Sequence, residues 1–248
     1  MGKITPTHKT HIYKKPIKIT LNWLIAVLIL IFSTGLLIIF STLNSSTAFA
    51  NYSPSAKIHH LPSSLLNWQD SSNSGDYFNQ ITPVKVGYLI WSKFPITIAV
   101  EVPKIDSNQG KIWTQAVLEA VGEWNNYLPL KVVESKELAD IRIIRKSPPL
   151  QGNPPRARSA QTTYNLYNQN HYLYHKSTIL ISPSQTGKYL IAAARHELGH
   201  ALGIWGHSPV ESDSLYFSQV SNPPLISVRD VNTLKRVYQQ PTKLGYPL

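Results

Sequence analysis

The chain has 248 residues, 42% hydrophobic and 15% charged, a balance that packs into a globular core and lacks the high-charge, low-hydropathy signature of disorder. Its formal charge of +11 tempts a nucleic-acid reading, but five lysines and no acid fall in residues 1–50, leaving 19 basic against 13 acidic residues beyond them. That mild excess, with no Lys/Arg block of five, is a solvated surface, so nucleic acid is not an expected partner; the absence of cysteine excludes disulfides, thiolate catalysis and thiolate-ligated metal.

Residues 1–20 form a basic N-terminus (Lys3, Lys9, Lys14, Lys15, Lys18) facing the cytoplasm. Residues 21–43 follow as an apolar segment whose core, residues 21–40, is almost unbroken. Twenty helical residues span about 30 Å, the hydrocarbon thickness, whereas the apolar region of a signal peptide is usually about 7 to 15 residues long. Length therefore favours an anchor, while Ala48-Phe49-Ala50 has the small-x-small form of a signal-peptidase site. Either way the rest of the chain is exported: membrane-anchored with its folded part outside the cytoplasm, or secreted after cleavage behind Ala50. Residues 44–92, rich in Ser, Asn and Pro and without a sustained period, read as a linker or loosely packed lead-in. His59-His60 in this stretch lacks a third ligand and reads as surface.

The folded domain is expected over residues 93–248. Residues 94–100 alternate and are β-branched, the pattern of a strand. Over residues 111–127, Trp113, Val117, Ala120, Val121 and Trp124 recur at three- and four-residue steps, which predicts a helix with one buried face. Residues 130–133, 139–144, 157–167 and 172–181 read as further strands, and residues 187–202 and 228–239 as two more helices. Ser227 and Asp230 stand at capping-box spacing before the last helix. The series predicts an α+β fold, a mixed sheet with helices packed on it. Tyr164, Tyr167, Tyr172 and Tyr174 have few interleaved basic residues and read as sheet surface. Roughly 25 irregular residues separate the two final helices, a loop length that in a compact domain usually serves function.

The first of those helices contains HELGHALGIWGH. On a helix, positions i and i+4 lie one above the other, so His196 and His200 can reach one ion at about 2.0 to 2.1 Å without moving the backbone. Glu197 projects about 100° round the helix, close to the ion's water yet poorly placed to ligate, which assigns it the role of general base. Gly203 permits a positive φ that ends the helix and swings the chain back, bringing His207 to the ion as third ligand. Three protein ligands leave a fourth position open, the mark of a catalytic rather than a structural zinc. The five positions coincide by chance in only about one or two of 10⁵ shuffled sequences.

In this motif the chain resembles the metzincin zinc metallopeptidases, and Ser208 directly after the third histidine makes it most similar to the matrixin branch. The resemblance covers about residues 90–245. It implies a zincin fold: a twisted, mostly parallel five-stranded sheet, a backing helix, an active-site helix and a C-terminal helix, with substrate extended along the antiparallel edge strand, here residues 157–167. It implies one catalytic zinc held by His196, His200 and His207, with Glu197 as base, hydrolysing peptide bonds of protein or peptide substrates. The family's turn methionine is absent, since Met1 is the sole methionine; Leu215 takes its position, a swap that usually costs under about 1.5 kcal/mol. Residues 141–195 contain no Asp or Glu, which argues against the calcium sites of matrixins. His171 and His175, the imidazoles of that stretch, read as surface rather than as a second zinc site. The loop of residues 215–225, with Tyr216, Phe217, Pro223 and Pro224, is expected to wall the substrate pocket; Tyr216 reads as packing, with a hydrogen bond to a developing oxyanion as its alternative role. The competing reading is a membrane-tethered zinc-binding pseudo-peptidase that acts as a binding module.

Overall fold

In the computed structural model, which describes residues 55–101 and 107–248, the strands are β1 (Ile96–Glu101), β2 (Leu130–Val132), β3 (Ile141–Arg145), β4 (Ala160–Gln169) and β5 (Tyr172–Ile181). The main helices are α1 (Asn108–Asn125), α2 (Gly187–Leu202) and α3 (Val228–Tyr238). The strands form one sheet in the order β2-β1-β3-β5-β4, parallel except for β4, which pairs antiparallel with β5 and occupies an edge. The fold is therefore α+β with a five-stranded, mostly parallel sheet.

Local chemistry sets the element boundaries. Pro95 has no N–H to donate, so β1 starts at Ile96, whose N–H donates to Pro129 O at 2.9 Å. α1 begins three residues earlier than its apolar period indicates, because the Ser107 side chain accepts from Gly110 N and caps it. α3 opens with the reciprocal capping box of Ser227 and Asp230. The edge strand starts at Ala160 rather than 157, since the chain before it closes on itself through a Gln151–Arg156 bridge.

One face of the sheet carries the core. Ile96, Ile98, Ile141, Ile143, Ile179 and Ile181 are fully buried there, and Trp113, Val117, Ala120 and Trp124 of α1 belong to the same cluster. Each of the valine and isoleucine side chains contributes about 1.5 to 3 kcal/mol by leaving water. α1 in turn packs on α2, where Trp124 Nε1 donates to Arg195 O at 2.9 Å. That contact fixes the helix that bears the histidines.

The lead-in is not a loose linker over its described part. Leu65, Tyr77, Ile81, Ile90 and Trp91 are buried in the main core and Leu61 packs against it, so the packed unit includes the described part of the lead-in instead of beginning at residue 93. Tyr77 Oη donates to Asp230 Oδ1 at 2.5 Å, and Trp91 Nε1 donates to Ala201 O at 2.9 Å. Leu65 enters from a single helical turn, Ser63–Leu66, and the others from turns and irregular backbone, segments too short for a period to reveal their burial. His59 bonds Leu244 O through Nε2 at 2.7 Å and stacks on Tyr246. His175 is core, not surface: it is 3% exposed and packs against Trp91 in a tilted arrangement with ring centroids 3.9 Å apart. Its place on β5 follows from strand alternation, which puts it on the same face as Ser177, Ile179 and Ile181.

Residues 1–20 and the apolar segment 21–43 lie outside the described residues; among the described residues no helix is long and apolar enough to cross a membrane. A chain shortened to begin at residue 93 loses five large core side chains and should not unfold cooperatively, whereas one beginning at residue 55 should. Thermal melts followed by circular dichroism distinguish them, and a sharp transition in the shorter chain contradicts the packing described.

Candidate metal centre

α2 presents His196, Glu197 and His200 toward the edge strand, and it ends at Gly203, whose φ of +136° is one that L side chains rarely adopt. A β-carbon there would also lie a tight 3.2 Å from Leu89 O, so the backbone conformation favours glycine and the space adds to that preference. The chain then returns to bring His207 beside the other two rings, with centroids 5.2 Å from His196 and 4.8 Å from His200. The ligand atoms of the three histidines all lie within 4.8 Å of one another, close enough to bind one metal ion.

Ring orientation is set by backbone carbonyls. His196 Nδ1 lies 2.9 Å from Ser214 O, and His200 Nδ1 lies 2.7 Å from Ile204 O. A carbonyl only accepts, so each Nδ1 carries the proton and each Nε2 presents a lone pair. Burial lowers the pKa of both rings to about 4, and so both are neutral at pH 7. The two Nε2 atoms then face each other at 3.1 Å with no proton between them. Such an arrangement repels itself unless a cation is shared. His207, more exposed, is also shifted down, by burial and then by the charge of Arg158.

Glu197 is 8% exposed, and burial raises its pKa against the opposing influence of His196 and Thr162. Thr162, on β4, lies with Oγ1 2.5 Å from Glu197 Oε2 and 3.0 Å from Glu197 O. Donation to Oε2 holds one carboxylate oxygen and leaves the other free to accept a proton. Thr162 carries no signal in sequence, because 35 residues separate it from Glu197.

Leu215 lies beneath the helix, fully buried. A β-carbon on Gly199 would come within 2.6 Å of Leu215 Cδ2, so glycine between the two ligand positions lets the leucine seat directly under them. Ser208 N donates to Leu215 O at 2.8 Å, and Ser208 Oγ donates to Asp213 Oδ2 at 2.5 Å, which ties the segment after His207 to the Leu215 turn. Asp213 is fully buried and accepts from Ser227 Oγ and Arg229 Nε as well. Asp230 Oδ2 accepts from Ser214 N, fixing the carbonyl-bearing residue that orients His196.

A cavity of about 160 Å³ opens beside His196 and Glu197 and is lined by Tyr216, Phe217, Pro223 and Pro224 from the 215–225 loop. Tyr216 thus stands at the cavity wall, its ring 4.5 Å from Phe217. Arg195, 4% exposed, forms an ion pair with Glu123 of α1 through Nε and Nη2 and donates from Nη1 to Pro224 O at 2.6 Å. It therefore braces the loop against both helices, a role the motif spacing does not reveal. His171 sits exposed in the β4–β5 turn with φ of 64°, and His175 is core; the described residues hold one potential metal cluster, His196, His200 and His207.

No protein-family model matches this chain, and no curated protein matches it either.

Without metal, the ligand imidazoles and His175 bind protons less readily folded than unfolded, where His titrates near about 6.5. The unfolded chain therefore holds more protons between about pH 6.5 and 4, and stability falls as pH drops through that window. Glu197, shifted upward, works in the opposite sense but is outnumbered by the four imidazoles. Urea denaturation of chelator-treated protein should show a lower midpoint at pH 5 than at pH 7; equal midpoints contradict the buried, neutral rings.

Proposed function

We propose that this chain is a zinc-dependent metalloendopeptidase of the metzincin type, built on a zincin fold and acting on proteins outside the cytoplasm. The observation that carries the reading is the pair of inward lone pairs on His196 and His200, joined by His207 and flanked by a buried Glu197 that does not itself point away into solvent. Two nitrogens bonded tetrahedrally at about 2.0 to 2.1 Å to one zinc stand about 3.3 Å apart, close to the 3.1 Å separation present. Three neutral imidazoles without a thiolate or a fourth protein ligand fit a catalytic zinc with an open position. Zinc held there supplies Lewis acidity toward a carbonyl oxygen and toward water.

The chain's own groups do the rest. β4 is the exposed edge of the sheet, so an extended peptide can add to it through backbone hydrogen bonds. The cavity beside His196 accepts one side chain adjacent to the bond to be cut. Glu197, with Oε2 held by Thr162, takes a proton from water and passes it to the leaving amine nitrogen. Leu215 fills the floor in place of the family's methionine. Export rests on the basic residues 1–20 and the apolar segment 21–43. The intact Glu197, poised by Thr162, favours a peptidase over a binding module.

The test is a protein beginning near residue 51, assayed on unfolded casein beside Glu197→Gln, with zinc content measured for both. Wild type should carry one zinc and cleave about 10² to 10⁴ times faster than the variant, which keeps its zinc. Equal rates on casein and on a broad peptide library, with zinc bound, contradict the proposal.

A further inference from the structure

Beside the cavity at His196 lies a larger groove of about 690 Å³, and the two share Ser159, Gln185 and Gln219 as lining. The groove runs past the start of β4 along the segment before it, and a peptide laid on that edge strand with one side chain in the cavity must pass over it. Its polar lining is Ser147, Ser159, Ser182, Ser184, Gln185 and Gln219, and its one ionisable side chain is Arg158. Arg158 is exposed and makes no hydrogen bond or ion pair among the described residues.

The surrounding sequence sharpens the point. Residues 141–195 contain no acid that could neutralise this guanidinium locally, and Lys146 and Arg156 stand next to lining residues in the chain. Four other arginines are paired with carboxylates, Arg142 with Glu101, Arg195 with Glu123, Arg229 with Asp213 and Arg236 with Asp76, while Arg145 keeps a buried Nε without a partner but lines a different hollow. Arg158 is the arginine that lines the groove beside the cavity, and its bonding capacity is unused. A guanidinium presents parallel N–H donors that match a carboxylate in bidentate fashion. The serine hydroxyls, already linked through Ser182 to Ser147 and Ser184, add donors on the same wall.

We infer that Arg158 selects substrates bearing a carboxylate one to three residues from the side chain held in the adjacent cavity, supplied either by an Asp or Glu side chain or by a free C-terminus. This assignment rests on the peptidase reading above. It makes Arg158 a specificity residue that contacts substrate away from the bond being cut, so its effect is on the ratio between acidic and neutral peptides.

Matched quenched fluorescent peptides carry Glu or Gln at each of the three positions on either side of the scissile bond, and a further pair ends there with a free acid or an amide. At about 50 mM salt, wild type should prefer Glu to Gln about three- to fivefold in kcat/KM at one position, with the ratio shrinking at high salt. Arg158→Gln should bring the ratio to about one and Arg158→Glu should invert it. A preference confined to the acid-ended peptide identifies the terminal carboxylate as the ligand; one confined to internal Glu identifies the side chain. The same peptides are titrated by fluorescence anisotropy into Glu197→Gln and into Glu197→Gln with Arg158→Gln, which reads the affinity ratio without turnover. Ratios of one in wild type and in the Glu197→Gln protein at every position overturn the role of Arg158, as does a preference that survives Arg158→Glu. Cleavage no faster than Glu197→Gln, with the affinity ratio intact, overturns the peptidase reading and leaves Arg158 assigned to anionic peptides.

Discussion

Two N–H to carbonyl hydrogen bonds, His196 to Ser214 and His200 to Ile204, decide what this structure can do, because they turn both lone pairs inward against their mutual repulsion. Much of the surrounding architecture holds those two carbonyls still. Ile204 O is presented because α2 stops at Gly203, in a backbone conformation that other residues rarely adopt. Ser214 is pinned through its own N–H to Asp230, and Asp230 takes a second bond from Tyr77 in the lead-in. A hydrogen-bonded route thus runs from the chain before the sheet, through the cap of α3, to a ring nitrogen at the centre. Both carboxylates of the network, Asp213 and Asp230, are satisfied, while the buried Ser214 Oγ is without a partner among the described residues.

Charge is distributed with a matching logic. The buried or half-buried carboxylates lie outside the 141–195 stretch and each has a partner: Glu123 with Arg195, Asp213 with Arg229, Asp230 with Tyr77 and backbone amides. These pairs are structural, and the Arg195 pair extends to the cavity loop through Pro224 O. The wall along the start of β4 is by contrast cationic and uncompensated. Glu197 is the acid set against that field: burial opposes its charged form, while the Thr162 hydrogen bond and the Arg158 charge favour it. One carboxylate left reactive and the others neutralised by partners is an arrangement suited to acid–base work.

What sequence disclosed and what it concealed follow from how far apart the interacting residues stand. Strand alternation, the α1 apolar stripe and the His196 to His207 spacing are all local, and each leads to the element or cluster observed. The Ser227 capping box is local too and was equally legible. Residues 55–92 lack a sustained period because Leu65, Tyr77 and Trp91 enter the core from a one-turn helix and from irregular backbone, so their packing could not be read. His175 looked like surface in isolation; the alternation of β5 already put it on the buried face, a signal that was available and outweighed by the expectation that histidines are exposed. Thr162 and the bracing of Pro224 by Arg195 depend on contacts 35 and 29 residues apart, which no local pattern encodes.

The most direct test of the central claim is X-ray absorption at the zinc edge on protein loaded with one equivalent of zinc. Three imidazole nitrogens and one further light atom at about 2.0 to 2.1 Å are predicted, with one imidazole lost in each of His196→Ala, His200→Ala and His207→Ala. A wild-type spectrum with fewer than three imidazoles, or one unchanged by these substitutions, contradicts a metal held between the inward-facing histidines.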